Sequence, residues 1–482
     1  MFLRRSLAGL LLAVIGSSAF AASGSVDRAY ANGSGVRIVD FSATAGVVAG
    51  APVVQAFPAT QLDAQGRLVL AAVVISGNSF LGIGVTRLLA DGSDDTSFGT
   101  QGQILMPFST PFGTGIYAVR VDGSGRPLLA LQVDDGTITT WRACRLTLSG
   151  ALDTSFFGTG CTSVEAYNGA QLKDMVVLAN GNIWMVGTGP SPSGSGTKDV
   201  IVVARVDLAA LTTIDEVFED VYSLSARRAL ADTSGEGATL VGSSNPTGSS
   251  YRDVSVMHLS HDEFNFSVEW LKSVGFDQPG PTSDDGTCID RQSDGRLLIG
   301  VDVEDSPGNH SWGTFRMDTD GNFDPTYAPA AGLGGRTLDQ ISNVGAYGSN
   351  ISLYDCAVDS AGGFDLAGVF SFADTLAPGN PSSSVGAVVR MNDGVRDSGF
   401  GGAAALPGTG HTPALMQAGV AMHSYRSLAL GHPRFDALDR LQPTRDGRLL
   451  VVGPSQRIGF NSFDIAVMKL YGDALFGDGF GH

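Results

Sequence analysis

Short runs of aliphatic residues, each closed by a polar turn built on glycine, recur along the whole chain. Asp63-Ala-Gln-Gly66-Arg-Leu-Val-Leu-Ala71 returns as Asp122-Gly-Ser-Gly125-Arg-Pro-Leu-Leu-Ala130. It returns again as Ser293-Asp-Gly295-Arg-Leu-Leu-Ile-Gly300 and as Arg445-Asp-Gly447-Arg-Leu-Leu-Val-Val-Gly453. Weaker copies surround Gly181, Gly237 and Gly363, so seven turn glycines (Gly66, Gly125, Gly181, Gly237, Gly295, Gly363 and Gly447) mark seven units, spaced 56 to 84 residues apart. A recurring period of this kind is the signature of a repeat architecture. In the clearer units an apolar strand carrying Arg follows, then a second turn, then an acidic-aromatic phrase. Unit one has Arg87-Leu88, Asp91-Gly92 and Asp95-Thr-Ser-Phe98-Gly99; unit two has Arg145-Leu146, Ser149-Gly150 and Asp153-Thr-Ser-Phe156. Unit five has Arg316-Met317, Asp320-Gly321 and Phe323-Asp324, and unit six has Arg390-Met391, Asp393-Gly394 and Asp397-Ser-Gly-Phe400-Gly401. Asp-Gly pairs tolerate positive φ and close antiparallel hairpins. The order strand, turn, strand, gap, strand, turn, strand predicts a four-stranded antiparallel meander per unit, and no stretch keeps helical spacing. Seven such meanders bury both faces by packing radially, which predicts an all-β, seven-bladed β-propeller in preference to a β-sandwich.

The same phrases resemble the bacterial delta-60 repeat over roughly residues 24–480. The match is strong in units one, two and five. Units three and four lack the Asp-x-x-Phe-Gly phrase, and unit six has Gly362-Gly363 where Asp-Gly is expected. The resemblance implies propeller-like blades in a secreted bacterial protein, and it implies no catalytic residues.

The two chain ends complement one another. After Asp464-Ile-Ala-Val-Met-Lys-Leu470 the last unit has no further strand. Val26-Asp-Arg-Ala-Tyr30, followed by Gly35-Val-Arg-Ile-Val-Asp-Phe41, aligns with the end of a repeat. An open ring would leave two unpaired strand edges. Residues from about Gly35 to Phe41 are therefore expected to pair antiparallel with Ile465 to Leu470, making the last blade from both termini.

Composition adds an address and a sign. Arg4 and Arg5, the apolar run Leu7 to Ile15 and Ala19-Phe20-Ala21 form the three-part pattern of a secretory signal peptide over residues 1–21, leaving 22–482 as a single propeller domain. Export would be to the periplasm, the cell surface or the medium. The apolar run is shorter than the roughly 20 residues a membrane span needs. The 482 residues include 65 Gly and only 16% charged side chains, and the formal net charge is −18. Turn-rich β structure fits the glycine content, and the acidity makes nucleic acid a poor partner.

Candidate chemistry is sparse. Asp91, Asp94 and Asp95 crowd one turn, Asp284 and Asp285 another, and Asp318, Asp320 and Asp324 a third. Alternating carboxylates can ligate Ca²⁺. Yet the twelfth position of a loop begun at Asp318 is Pro329, where an EF-hand needs Glu, and Asp before Gly serves the turn's own backbone. These three residues are weak calcium candidates, and no other cofactor is called for. The seven His show no zinc spacing, and there is neither a G-x-S-x-G elbow nor a phosphate-binding loop. Trp141, Trp184, Trp270 and Trp312 read as blade core. Cys144 and Cys161 flank one turn within unit two. Cys288 and Cys356 each lie seven residues before their unit's marker glycine, which puts them at one structural position in consecutive units. The expected disulfides are 144–161 and 288–356. A long insertion at about 402–442, carrying His411, His423 and His432, reads as a surface cap over one blade edge, its apolar middle forming a short helix or a longer strand pair. The function expected is an exported, non-catalytic, monomeric binding or scaffold module for an extracellular protein or glycan. The alternative is a polysaccharide hydrolase or lyase with facing carboxylates or His at one mouth of the channel.

Overall fold

The computed structural model describes residues 23–472 except 47–52, 78, 109–113, 167–168, 192–197, 209–211, 219–222, 246–250, 263–264, 277–281, 307–308, 332–333, 340–349, 374–381, 402–418, 424, 426–435 and 457–462. Seven antiparallel sheets are arranged as a seven-bladed β-propeller. The inner strands, in blade order, are Val53–Leu62, Thr114–Val121, Gln171–Val177, Ser223–Ala231, Ser283–Arg291, Asn350–Val358 and Arg440–Pro443. Each contacts the next around the ring, and the seventh also contacts the first. Among the described residues the sole helical segment is a 3-10 turn at Pro329–Ala331.

The apolar runs are continuous because both faces of each blade are buried. Along Leu68–Ser76, Leu68, Leu70, Ala72 and Val74 pack against the last blade, while Val69, Ala71 and Val73 pack against the second. The seven hydrophobic clusters fall one to each interface between blades. Trp141, Trp184 and Trp312 are fully buried there. Trp270 departs from the expectation. It sits half-buried on an outer strand, stacked on His258 at 5.7 Å with its indole N–H donating to the Thr319 carbonyl.

Closure uses both termini. Val36, Arg37, Ile38 and Val39 pair antiparallel with Met468, Val467, Ala466 and Ile465, and Val26 bridges to Leu470. The turn glycines hold left-handed backbone, with Gly66 at φ +75°. In two units the left-handed residue is not the marker glycine. It is Gly235 in blade four, whose turn carries one extra residue, and Gly362 in blade six, where Gly363 stands in the place of Arg67.

That shift changes the cysteine argument. Cys288 pairs across its hairpin with Gly300, but Cys356 pairs with Leu366, one step nearer the turn, so the two are not at one structural position. The offset is what a bridge between blades requires. Equivalent residues face the same way around the ring, whereas residues one step apart face each other, because side chains alternate along a strand. The sulfurs of Cys288 and Cys356 lie 2.08 Å apart and those of Cys144 and Cys161 2.06 Å apart, a disulfide-compatible geometry in both pairs. Within the insertion, Val420–His423 is the outer strand of blade six; the rest of the insertion up to residue 435, apart from Gly419 and Tyr425, lies outside the described residues.

Candidate functional site

The repeated polar residues build a clasp on one face of the ring. Arg87 is 2% exposed. Its Nε donates to Asp95 (2.7 Å), Nη2 to the Ser97 hydroxyl and Nη1 to the Leu148 carbonyl of the next blade, with the guanidinium 4.8 Å above the Phe98 ring. Arg145 with Asp153 and Phe156, and Arg316 with Asp324 and Tyr327, repeat the arrangement. Arg390 pairs with Asp359 and Asp365 over Phe400. Blades lacking the Asp-x-x-Phe-Gly phrase improvise. Arg205 reaches Asp207 and Glu236, and His258 reaches Asp232. The Asp-x-x-Phe-Gly phrase is thus a structural device. It sets a buried ion pair and a cation–π contact within a blade, and the arginine so held reaches the next blade, Arg87 at the Leu148 carbonyl and Arg316 at Asp393.

The calcium candidates fall on this face, and the carboxylates of Asp318 and Asp324 are already engaged. Asp318 accepts from the Asp320 and Asn322 backbone N–H groups, and Asp324 accepts from Arg316, Arg296 and Thr326. Against the effect of its burial, these bonds hold the Asp324 carboxyl well below the ordinary range. Among the described residues no three His, Cys, Asp or Glu side chains converge as a metal site. Asp94 pairs with Arg37, and Asp284 accepts the Phe276 N–H.

Inside the ring, a channel of about 590 Å³ is lined by all seven inner strands. Their inward edges would carry unpaired N–H groups, and acids from neighbouring blades satisfy several of them. Asp174 accepts from Ala229 N, Asp290 from Val358 N and Asp355 from Leu441 N, at 2.7–3.0 Å. Burial raises the Asp290 carboxyl above the ordinary value. These carboxylates hold blades together.

The channel widens toward the face opposite the clasps into a cavity of about 1250 Å³. Its lining comes from a bulge in the inner strands. Each bulge inserts one extra residue and re-aims a side chain: Tyr117 between Ile116 and Ala118, Lys173 between Leu172 and Asp174, Arg227 between Ala226 and Arg228, and Tyr354 between Leu353 and Asp355. All four line the cavity, together with Arg228, Arg252, Asp285, Asp439 and Arg440. In a chain with 30 Lys and Arg against 48 acids, this cavity gathers five cations (Lys173, Arg227, Arg228, Arg252 and Arg440) against four acids.

The electrostatics are unusual for the molecule. Burial, with Arg227 nearby, lowers the Lys173 ammonium below the ordinary lysine value. Burial raises both the Tyr117 and Tyr354 phenols. Enclosure by the channel wall, aided by Arg228, brings Arg440 down to about 10, and burial brings the Asp439 carboxyl up to about 6. Arg227 and Arg252 lie 4.0 and 3.1 Å from Asp285. The sequence reading missed these residues, although a signal existed. Counted from the left-handed glycine of each turn, Tyr117, Lys173, Arg227, Tyr354 and Asp439 all stand eight residues upstream. Four carboxylates, Asp134, Asp199, Asp285 and Asp439, line the mouth, with no histidine among the described lining residues.

Residues 292–327 match the model of a family described as a domain of unknown function (DUF5122) beta-propeller. No curated protein matches the chain. Among solved structures, a protein of unknown function from Dyadobacter fermentans DSM 18053 is 15% identical with a TM-score of 0.40, covering 73% of this chain and 98% of its own. A polysaccharide lyase of the ulvan lyase family, bound to a GlcA–Rha3S repeat, is 9% identical with a TM-score of 0.44, covering 88% and 94%. A Penicillium chrysogenum alpha-L-arabinanase complexed with arabinobiose is 10% identical with a TM-score of 0.34, covering 86% and 93%.

Proposed function

We propose that this chain is an exported repeat protein of the delta-60 type, a binding module that takes an extracellular glycan in the wide mouth of its channel. The mouth itself carries the proposal. Its volume of about 1250 Å³ exceeds the roughly 300–1,000 Å³ of a small-molecule pocket, and its wall presents two tyrosines among fixed polar groups. An oligomer of polar rings with apolar faces suits such a wall. Export is supported by the leader-like first 21 residues and by two cysteine pairs in disulfide-compatible geometry. The test is titration of a panel of neutral and acidic oligosaccharides by calorimetry. Binding, weakened about tenfold by Tyr117→Ala or Tyr354→Ala, is expected. Failure of every glycan to bind would end the proposal.

A second reading places polysaccharide cleavage at the same mouth. The observation favouring it is Lys173, whose proton burial and Arg227 loosen, on the same wall as Tyr117. A group of that kind can take a proton from carbon next to a carboxylate. Appearance of unsaturated sugar ends on incubation, lost in Lys173→Met, would support cleavage; binding without products would leave a binding module alone.

A further inference from the structure

At the level of the throat Asp174 and Asp355 are hydrogen-bonded to backbone, while Arg228 and Arg440 make no close ion pair among the described residues. Asp174 accepts from Arg120 at 2.7 Å and from the Ala229 N–H, and Asp355 accepts the Leu441 N–H. Arg228 approaches Asp355 only to 4.0 Å. Arg440 makes one hydrogen bond among the described residues, from Nη1 to the Asp439 carbonyl at 2.7 Å, and no ion pair. It stands where the channel meets the mouth and lines both. Asp355, Asp439 and Asp174 attract Arg440 at longer range, but none hydrogen-bonds its guanidinium among the described residues, which leaves donors for an anion.

We infer that Arg228 and Arg440 form an anion subsite at the throat, with Lys173 and Arg227 above it, and that the ligand is an acidic oligosaccharide presenting a carboxylate or sulfate there. The inference rests on the glycan reading of the mouth and adds the sign and position of the charge. The guanidinium fork suits both anions, because each offers two oxygens in a plane or edge. The acidity of the whole chain limits the ligand further. A densely charged polyanion such as nucleic acid is repelled by the surface before it reaches the throat, whereas a glycan with one anion every sugar or two meets less opposition. Asp439 sits beside the subsite with no hydrogen bond from its carboxyl among the described residues, and it weakens anion binding when ionised.

The experiment compares four probes on the intact protein by calorimetry: a uronic acid tetrasaccharide, the same molecule with its carboxyls reduced, a sulfated neutral tetrasaccharide and a short glutamate peptide. Reduction of the carboxyls is expected to weaken binding about tenfold or more. Arg440→Gln and Arg228→Gln should each do the same to the intact acid and leave the reduced sugar unchanged. Asp439→Asn should tighten the acid several-fold at pH 7, which keeps the test open if either arginine variant is unfolded. Tighter binding of the sulfated probe than of the uronate would support the subsite and name sulfate as its anion. Equal binding of acid and reduced sugar would overturn the inference while leaving the glycan site standing. Peptide bound more tightly than any sugar would overturn the choice of ligand, and no binding by any sugar would remove both proposals.

Discussion

Replacing Arg87 by Met tests whether the clasps hold the ring together. Met keeps most of the stem that covers Phe98 but removes the charge. The Asp95 carboxylate, 8% exposed, then loses its close ion pair and keeps only Arg67 at 3.5 Å, and the Leu148 carbonyl of the next blade loses a donor. Breaking a buried pair from one side costs about 3–5 kcal/mol, chiefly through the charge left behind. With an unfolding entropy of about 2.1 cal/mol/K per residue, the 482 residues give ~1.0 kcal/mol/K, so Tm should fall by about 3–5 °C. Arg37→Gln is the control. Its pair with Asp94 is one-third exposed on both sides and is worth about 0–1 kcal/mol, a shift of about a degree at most. Adding Asp95→Asn to Arg87→Met should restore part of the loss, since the orphaned charge disappears. Differential scanning calorimetry of five proteins, the parent, Arg37→Gln, Arg87→Met, Asp95→Asn and the double variant, reads all of this. An Arg87→Met melt within a degree of the parent, or a double variant that loses the sum of both singles, would refute the clasp.

Three further outcomes are expected. Deleting residues 23–41 removes the strand paired to Ile465–Met468 and exposes the edge of blade seven, so the protein should melt far lower and aggregate; an unchanged melt would deny the closure. Cys288→Ser with Cys356→Ser should cost about 2–5 kcal/mol, and peptide mapping without reductant should recover the 288–356 pair; free thiols at all four cysteines would contradict it. Asp439 has a raised carboxyl pKa, so the folded state holds its proton more tightly than the unfolded one, and stability is lost as pH rises from 3.8 to about 6. Asp439→Asn should therefore raise Tm at pH 7 and leave it unchanged at pH 4; equal shifts at both would show that the carboxyl is not strained.

The blade count was legible because Asp-Gly-Arg turns and Asp-x-x-Phe phrases answer local demands: left-handed backbone in one, a cation and ring to stack in the other. Where those demands are met differently, the reading slipped. Blade four spends an extra residue on its turn and blade six puts glycine in place of arginine, so counting from Gly363 misplaced Cys356 by one. Trp270 looked like core because tryptophan often is, but its partner is the half-buried His258. The mouth was hidden for a geometric reason. Tyr117, Lys173, Arg227 and Tyr354 share one repeat position but differ in residue type, each in a separate blade, and become neighbours only when the ring closes.

Joining the first strand to the last also sets a clock. Val36 waits for Met468, the better part of the chain away, before it has a partner. At about 5–20 residues per second, a ribosome takes roughly 20–90 s to supply the intervening length. Throughout that interval Val39 and Phe41, fully buried in the finished ring, lack Leu450, Val452, Ile465 and Val467, their neighbours from the last blade. Synthesis thus imposes a delay that faster local folding cannot shorten, and whatever holds the chain meanwhile must shield its leading end.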